Sequence, residues 1–156
     1  MSETARQPLV PDAYAAIVIV AVLVLDFVLP LPLLPPAGWA SPLTGLGIML
    51  ALAGFALEIS AARALAAAGT PTRPNAAPLA LVTSGPFRWS RNPFYCGLLL
   101  VLAGACLALS LEWAPLGLPL LWLALDRLVV PHEEARLAQA FPAAWSAYAG
   151  ATSRWL

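Results

Sequence analysis

This chain has no lysine, one histidine and two cysteines among 156 residues, and only 10% of its residues are charged. An ordinary soluble domain carries about 25% charged residues. Formal net charge is zero, so nothing in it points to a nucleic-acid partner. With lysine absent, every positive charge is an arginine: Arg6, Arg63, Arg73, Arg88, Arg91, Arg127, Arg136 and Arg154. Arginine stays charged when partly buried and can grip a carboxylate with two bonds. Cys96 and Cys106 fall on one expected helix, ten residues and therefore roughly 15 Å apart, which excludes a disulfide. They read as free, packed thiols. No cleavable leader is apparent in Met1–Asp12. There is no repeat, no low-complexity tract and no metal-ligand constellation.

What the chain has instead is apolar length, since 61% of it is hydrophobic. Four runs stand out, at about 13–34, 42–68, 94–109 and 114–130. A helix crossing a bilayer core needs about 20 residues, within roughly 17–25. The expected fold is an all-α membrane protein of one domain. It has four transmembrane helices, the last two forming a tight hairpin, and an amphipathic helical tail over 131–156. Trp39 and Trp113 are expected at an interface, where indoles are favoured.

The arginines give the orientation. The loops joining spans one to two and three to four hold none, whereas Arg63 to Arg91 contains four and the stretch from Arg127 three. Positive charge belongs on the cytoplasmic side. Both termini are therefore expected there, in a bacterial inner membrane.

Between the second and third spans, five prolines from Pro71 to Pro93 exclude a continuous helix. Thr72-Arg73-Pro74-Asn75 reads as extended loop, and Leu79 to Val82 as an apolar patch on the membrane or the protein. Asn92-Pro93 reads as an Asn cap with proline in the first helical position. Arg91 and Tyr95 are spaced to share a helix face. Pro131 suits the first turn of a tail helix, and Pro142 divides that tail in two.

The polar residues gather at Arg88, Arg91, Asn92 and Tyr95, and at Glu133-Glu134. Adjacent helical residues point about 100° apart. One acid can therefore face a ligand while the other fixes a nearby arginine. Buried inside apolar runs are Asp26 and Glu58. A charge at such depth needs a partner or a cavity. Glu58 and Arg63, five apart, form either an internal pair or an acceptor-facing site. His132 reads as an interfacial residue.

The order of these pieces resembles the isoprenylcysteine carboxyl methyltransferases and their phospholipid methyltransferase relatives. Gly85-Pro86-Phe87-Arg88 is similar to the family's Gly-Pro-aromatic-Arg step. Arg91-Asn92-Pro93-Phe94-Tyr95-Cys96-Gly97 is similar to its Arg-His-Pro-x-Tyr-x-Gly signature. Glu133-Glu134 with Leu137, Phe141, Trp145 and Tyr148 resembles its C-terminal pattern. Asn92 stands where the family has histidine, Pro142 where it has glycine, and Trp145 where it has tyrosine.

The resemblance implies an integral-membrane enzyme that uses S-adenosylmethionine. Its cofactor would be held by Val82, Thr83, Gly85, Arg91, Asn92, Pro93, Tyr95, Gly97, Glu133 and Glu134. Arg136, without a motif match, is expected to matter less. Glu58 and Arg63 are the candidates for orienting a lipophilic acceptor, with a prenylcysteine-type carboxylate as the best-known case. Two alternatives are an NADPH-dependent reductase of the sterol-reductase type and a non-catalytic membrane subunit that keeps the fold.

Overall fold

The computed structural model describes residues 11–71 and 77–156. Arg6, Arg73 and the extended-loop reading of Thr72 to Asn75 lie outside the described residues. Within them the chain is helical, with no strand. The helices are α1 (Pro11–Val28), α2 (Pro42–Ala67), α3 (Pro93–Ala108), α4 (Ala114–Ala124), α5 (Val130–Ala140) and α6 (Pro142–Ala151). A π turn, Leu125–Val129, links α4 to α5, and a 3₁₀ turn, Gly85–Arg88, precedes α3.

Among the described residues, three helices are long and apolar enough to cross a membrane: α1, α2 and the continuous Ala114–Ala140. α3 is also apolar but has 16 residues, about 24 Å at 1.5 Å per residue, against a core of about 30 Å. Two boundaries differ from expectation. The first helix stops at Val28 rather than 34, because Pro30, Pro32, Pro35 and Pro36 follow and each removes a helix donor. The fourth does not stop at 130; α5 continues it to Ala140. Pro131 is tolerated because the helix widens just before it. There the Val130 N–H donates to the Leu125 carbonyl, the wider π spacing that often marks functional sites. The expected break at Pro142 does occur, with Phe141 turning the chain between α5 and α6.

The helices pair antiparallel. A Cβ placed on Gly54 would lie 2.7 Å from the Gly97 carbonyl oxygen, and one on Gly104 would lie 2.5 Å from that of Gly47. Such close backbone approach is how helices associate where lipid removes the hydrophobic drive between them. In the other pair, Val22 of α1 packs on Gly117 of α4. Leu121, Leu125 and Val130 are fully buried, and Ala15, Tyr95 and Leu102 join their cluster. Large apolar side chains of α1 and α2, including Val24, Phe27, Met49 and Phe55, stay exposed. Helices apolar on both faces fit a lipid surround.

One end of the bundle is tied by a latch. Asp26 Oδ1 accepts the Glu112 N–H at 2.8 Å, and its Oδ2 lies 3.5 Å from the Trp113 nitrogen. Glu112 Oε1 in turn accepts the N–H groups of Leu33 at 2.6 Å and Leu34 at 2.9 Å. Asp26 thus has the partner its depth requires: the amide donors at the start of α4. The indole N–H of Trp113 donates to the Leu29 carbonyl at 2.9 Å, while Trp39 is fully exposed.

Candidate functional site

The opposite end holds a cavity of about 410 Å³, within the roughly 300–1,000 Å³ usual for small-molecule sites. The starts of α1 and α3, the end of α2, the 78–82 segment, α5 and α6 enclose it. Its polar wall includes Asp12, Glu58, Glu133 and Arg136; its aromatic wall includes Phe87, Phe94, Trp145 and Tyr148.

Seven of the ten residues expected to hold a cofactor line this cavity: Val82, Arg91, Asn92, Pro93, Tyr95, Glu133 and Glu134. The other three do not. Thr83 is exposed on the loop. Gly85 has φ +61, a left-handed turn conformation that glycine adopts without strain. Gly97 sits in the α2–α3 seam, where a Cβ would lie 2.6 Å from Glu58 Cγ. Its missing side chain makes room for the path of Glu58 to the cavity.

Of the acceptor candidates, Glu58 lines the cavity and Arg63 does not. Residues five apart on a helix are rotated by about 140°. Arg63 is accordingly exposed, and no Glu58–Arg63 ion pair forms among the described residues. His132 is exposed too, its Nδ1 2.9 Å from the Leu128 carbonyl oxygen.

The acid pair divides its work. The Tyr95 hydroxyl donates to Glu133 Oε1 at 2.7 Å on the cavity wall. Glu134 turns to arginines: Arg91 Nη2 lies 2.9 Å from its Oε1, and Arg154 Nη2 lies 2.6 Å from its Oε2. Arg91 Nη1 donates to the carbonyls of Ala149 at 2.7 Å and Thr152 at 3.0 Å. Its guanidinium lies 5.7 Å from the Trp145 ring centre, a cation–π distance. Arg91 is therefore largely committed to protein partners.

Asn92 starts α3 but makes no side-chain cap. Its backbone N–H donates to Ser90 Oγ at 3.1 Å, and its Nδ2 donates to the Arg154 carbonyl at 3.0 Å. The long-range pull of the C-terminus outcompetes the local cap. Tyr148 donates to the Phe87 carbonyl at 2.6 Å. Burial pushes its hydroxyl up to about 12, so it remains a donor at neutral pH.

Sequence reasoning missed Asp12, Arg136 and Ser90. Asp12 belongs to the first turn of α1, and its charge reaches both Glu58 and Tyr95. It reads locally as an ordinary helix-start acid, and only packing brings it to the site. Arg136, one turn beyond Glu133, had a signal in its i, i+3 spacing. Fully buried Ser90 had none.

Such a wall suits a ligand that carries positive charge. Carboxylates and aromatic faces both stabilise an onium group. A dinucleotide with several phosphates would instead meet three carboxylates, Asp12, Glu58 and Glu133, against Arg136, with Arg91 already bound to Glu134. Comparison with curated proteins and with solved structures returned no match. The phospholipid methyltransferase family model matches residues 43–144, from the start of α2 into α6 and across most of the cavity wall. The chain belongs to the phospholipid methyltransferase family.

Proposed function

We propose that this protein is an integral-membrane methyltransferase that uses S-adenosylmethionine to methylate a lipophilic acceptor at the cytosolic membrane face. The observation that carries the reading is the cavity's wall of carboxylates and aromatic rings, built around Tyr95–Glu133. When bound, S-adenosylmethionine supplies an electrophilic methyl group, and its transfer leaves a neutral thioether. Glu133, oriented by Tyr95, offers an acceptor oxygen for a ribose hydroxyl or an ammonium. Phe87, Phe94 and Trp145 offer faces for a base or an onium centre. The protein's main tasks are alignment and exclusion of water.

The acceptor side is assigned to Glu58 with Asp12. Arg63, suited to a carboxylate acceptor, lies outside the cavity, whereas Glu58 lines it beside Asp12. That balance favours a neutral or amine nucleophile over a prenylcysteine-type carboxylate. The reading includes four spans, with α3 as a short one paired along α2. It also places the cavity in the cytosol. The described arginines belong to helix ends and segments on the cavity side, while the two loops at the latch end contain none.

Titration of the purified protein with S-adenosylmethionine and with NADPH tests the cofactor. Binding of the first alone is expected. Binding of NADPH would turn the reading to a reductase, and binding of neither to a non-catalytic subunit. A cysteine introduced at exposed Thr83 should react only with reagents that reach the cytosol.

A further inference from the structure

The family match ends at residue 144, yet the residues beyond it supply much of what holds the Arg91 segment. The Arg91 N–H donates to the Ser153 carbonyl at 2.9 Å. Ser90 Oγ, at 3.2 Å, and Asn92 Nδ2, at 3.0 Å, both donate to the Arg154 carbonyl. The Arg154 side chain turns the other way. Its Nε and Nη2 reach the two oxygens of Glu134 at 3.2 and 2.6 Å, and its Nη1 reaches Asp126 Oδ1 at 3.2 Å. The same Asp126 oxygen accepts the Trp155 indole N–H at 2.9 Å. One residue is thus bound by its backbone to the loop before α3, and by its side chain to Glu134 and the π turn.

The segment after α6 is held by a two-bond arginine–carboxylate contact, which fixes the plane of the carboxylate as well as its position. With both Glu134 oxygens engaged, the helical backbone from which Glu133 reaches Tyr95 is anchored at the neighbouring residue. The Glu134 hydrogen bond holds the Arg154 guanidinium above its ordinary pKa, so the tie stays charged.

We propose that Arg154 is a positioning residue for the cavity: by closing the C-terminal tail over Ser90 and Asn92 it locks Glu134, and so keeps Glu133 on the cavity wall against Tyr95. The proposal rests on reading that cavity as the methyl-donor site. It also gives Asn92 a role in place of histidine, as the neutral donor on which the tail is seated.

The test uses the full-length protein, with Arg154→Ala and Arg154→Lys each made in the wild-type and Glu134→Gln backgrounds. S-adenosylmethionine Kd should rise at least tenfold for Arg154→Ala and three- to fivefold for Arg154→Lys. In the Glu134→Gln background, Arg154→Ala should add less than twofold. Additive losses would mean that Arg154 does not act through Glu134, and would overturn the proposal.

A second readout needs no ligand. Buried Cys96 shares an apolar groove with Trp155 and Leu156. In a Cys106→Ser background, its maleimide labelling should quicken at least tenfold with Arg154→Ala. An unchanged rate would mean that the tail stays seated without Arg154, and the proposal fails. If the wild type binds no S-adenosylmethionine, the donor-site reading falls on its own, and labelling alone decides the tail closure. Should Arg154→Ala not fold, Arg154→Lys carries the same measurements.

Discussion

Tyr95, in the first turn of α3, donates its hydroxyl to Glu133 of α5 at 2.7 Å, across 38 residues of sequence. The bond joins the two motif segments at the cavity wall. Removing the donor leaves a carboxylate short of a charge-assisted bond, typically a loss of about 1.5–3 kcal/mol. Tyr95→Phe should therefore weaken S-adenosylmethionine binding by roughly tenfold to a hundredfold. Calorimetric titration measures it, and unchanged affinity would remove Glu133 from the ligand's contacts.

The two cavity arginines should separate. Arg91 is 13% exposed and bound to Glu134, and removing one partner of a buried pair costs about 3–5 kcal/mol. Arg91→Ala should lower thermal stability sharply and lose binding with it. Arg136 also lines the cavity, although it matches no motif residue. Arg136→Ala should lower ligand affinity at least threefold while shifting the unfolding midpoint much less than Arg91→Ala. Equal midpoint shifts would contradict the division.

Glu58→Gln keeps shape and removes charge. Cofactor affinity should stay within about threefold, under roughly 0.7 kcal/mol, while turnover on the acceptor falls at least tenfold. Both are read on the same purified variant. Unchanged turnover would return Glu58 to the α2–α3 seam and leave the acceptor side unassigned.

Asp26 lies at the other end of the bundle, with the α4 amides as partners. A capping carboxylate is worth about 0.5–2 kcal/mol. Asp26→Ala should lower thermal stability by that order and leave cofactor affinity unchanged. A loss of affinity without a loss of stability would mean that the two ends are coupled.

Much of this molecule was legible in the chain. The apolar runs marked α1, α2 and α3, and Asn92-Pro93 marked the start of α3, because local composition decides where a helix can begin. The roles of individual side chains were harder to read. Asn92 has the sequence of a cap but serves the C-terminus. Gly97 has the sequence of a ligand-approach glycine but serves a helix seam. Arg63 shares a helix end with Glu58, yet the helical period turns it away. For Asn92 and Gly97 the deciding partner is distant in sequence, Arg154 for the first and Gly54 for the second. Motif order picked out residues of which seven of ten line one cavity, whereas the directions of Asn92 and Gly97 depended on contacts that no local window contains.

The π turn at Leu125–Val129 sets a phase. Adding one residue to a helical turn swings everything downstream by about 100°. Glu133 and Glu134 reach Tyr95 and Arg91 in that altered phase. Closing that turn to an ordinary α turn with the same number of residues would preserve every motif in the sequence and still rotate both acids off their partners by about 100°. The aim of the site is thus held in a residue count, at a place where no side chain has to touch the ligand.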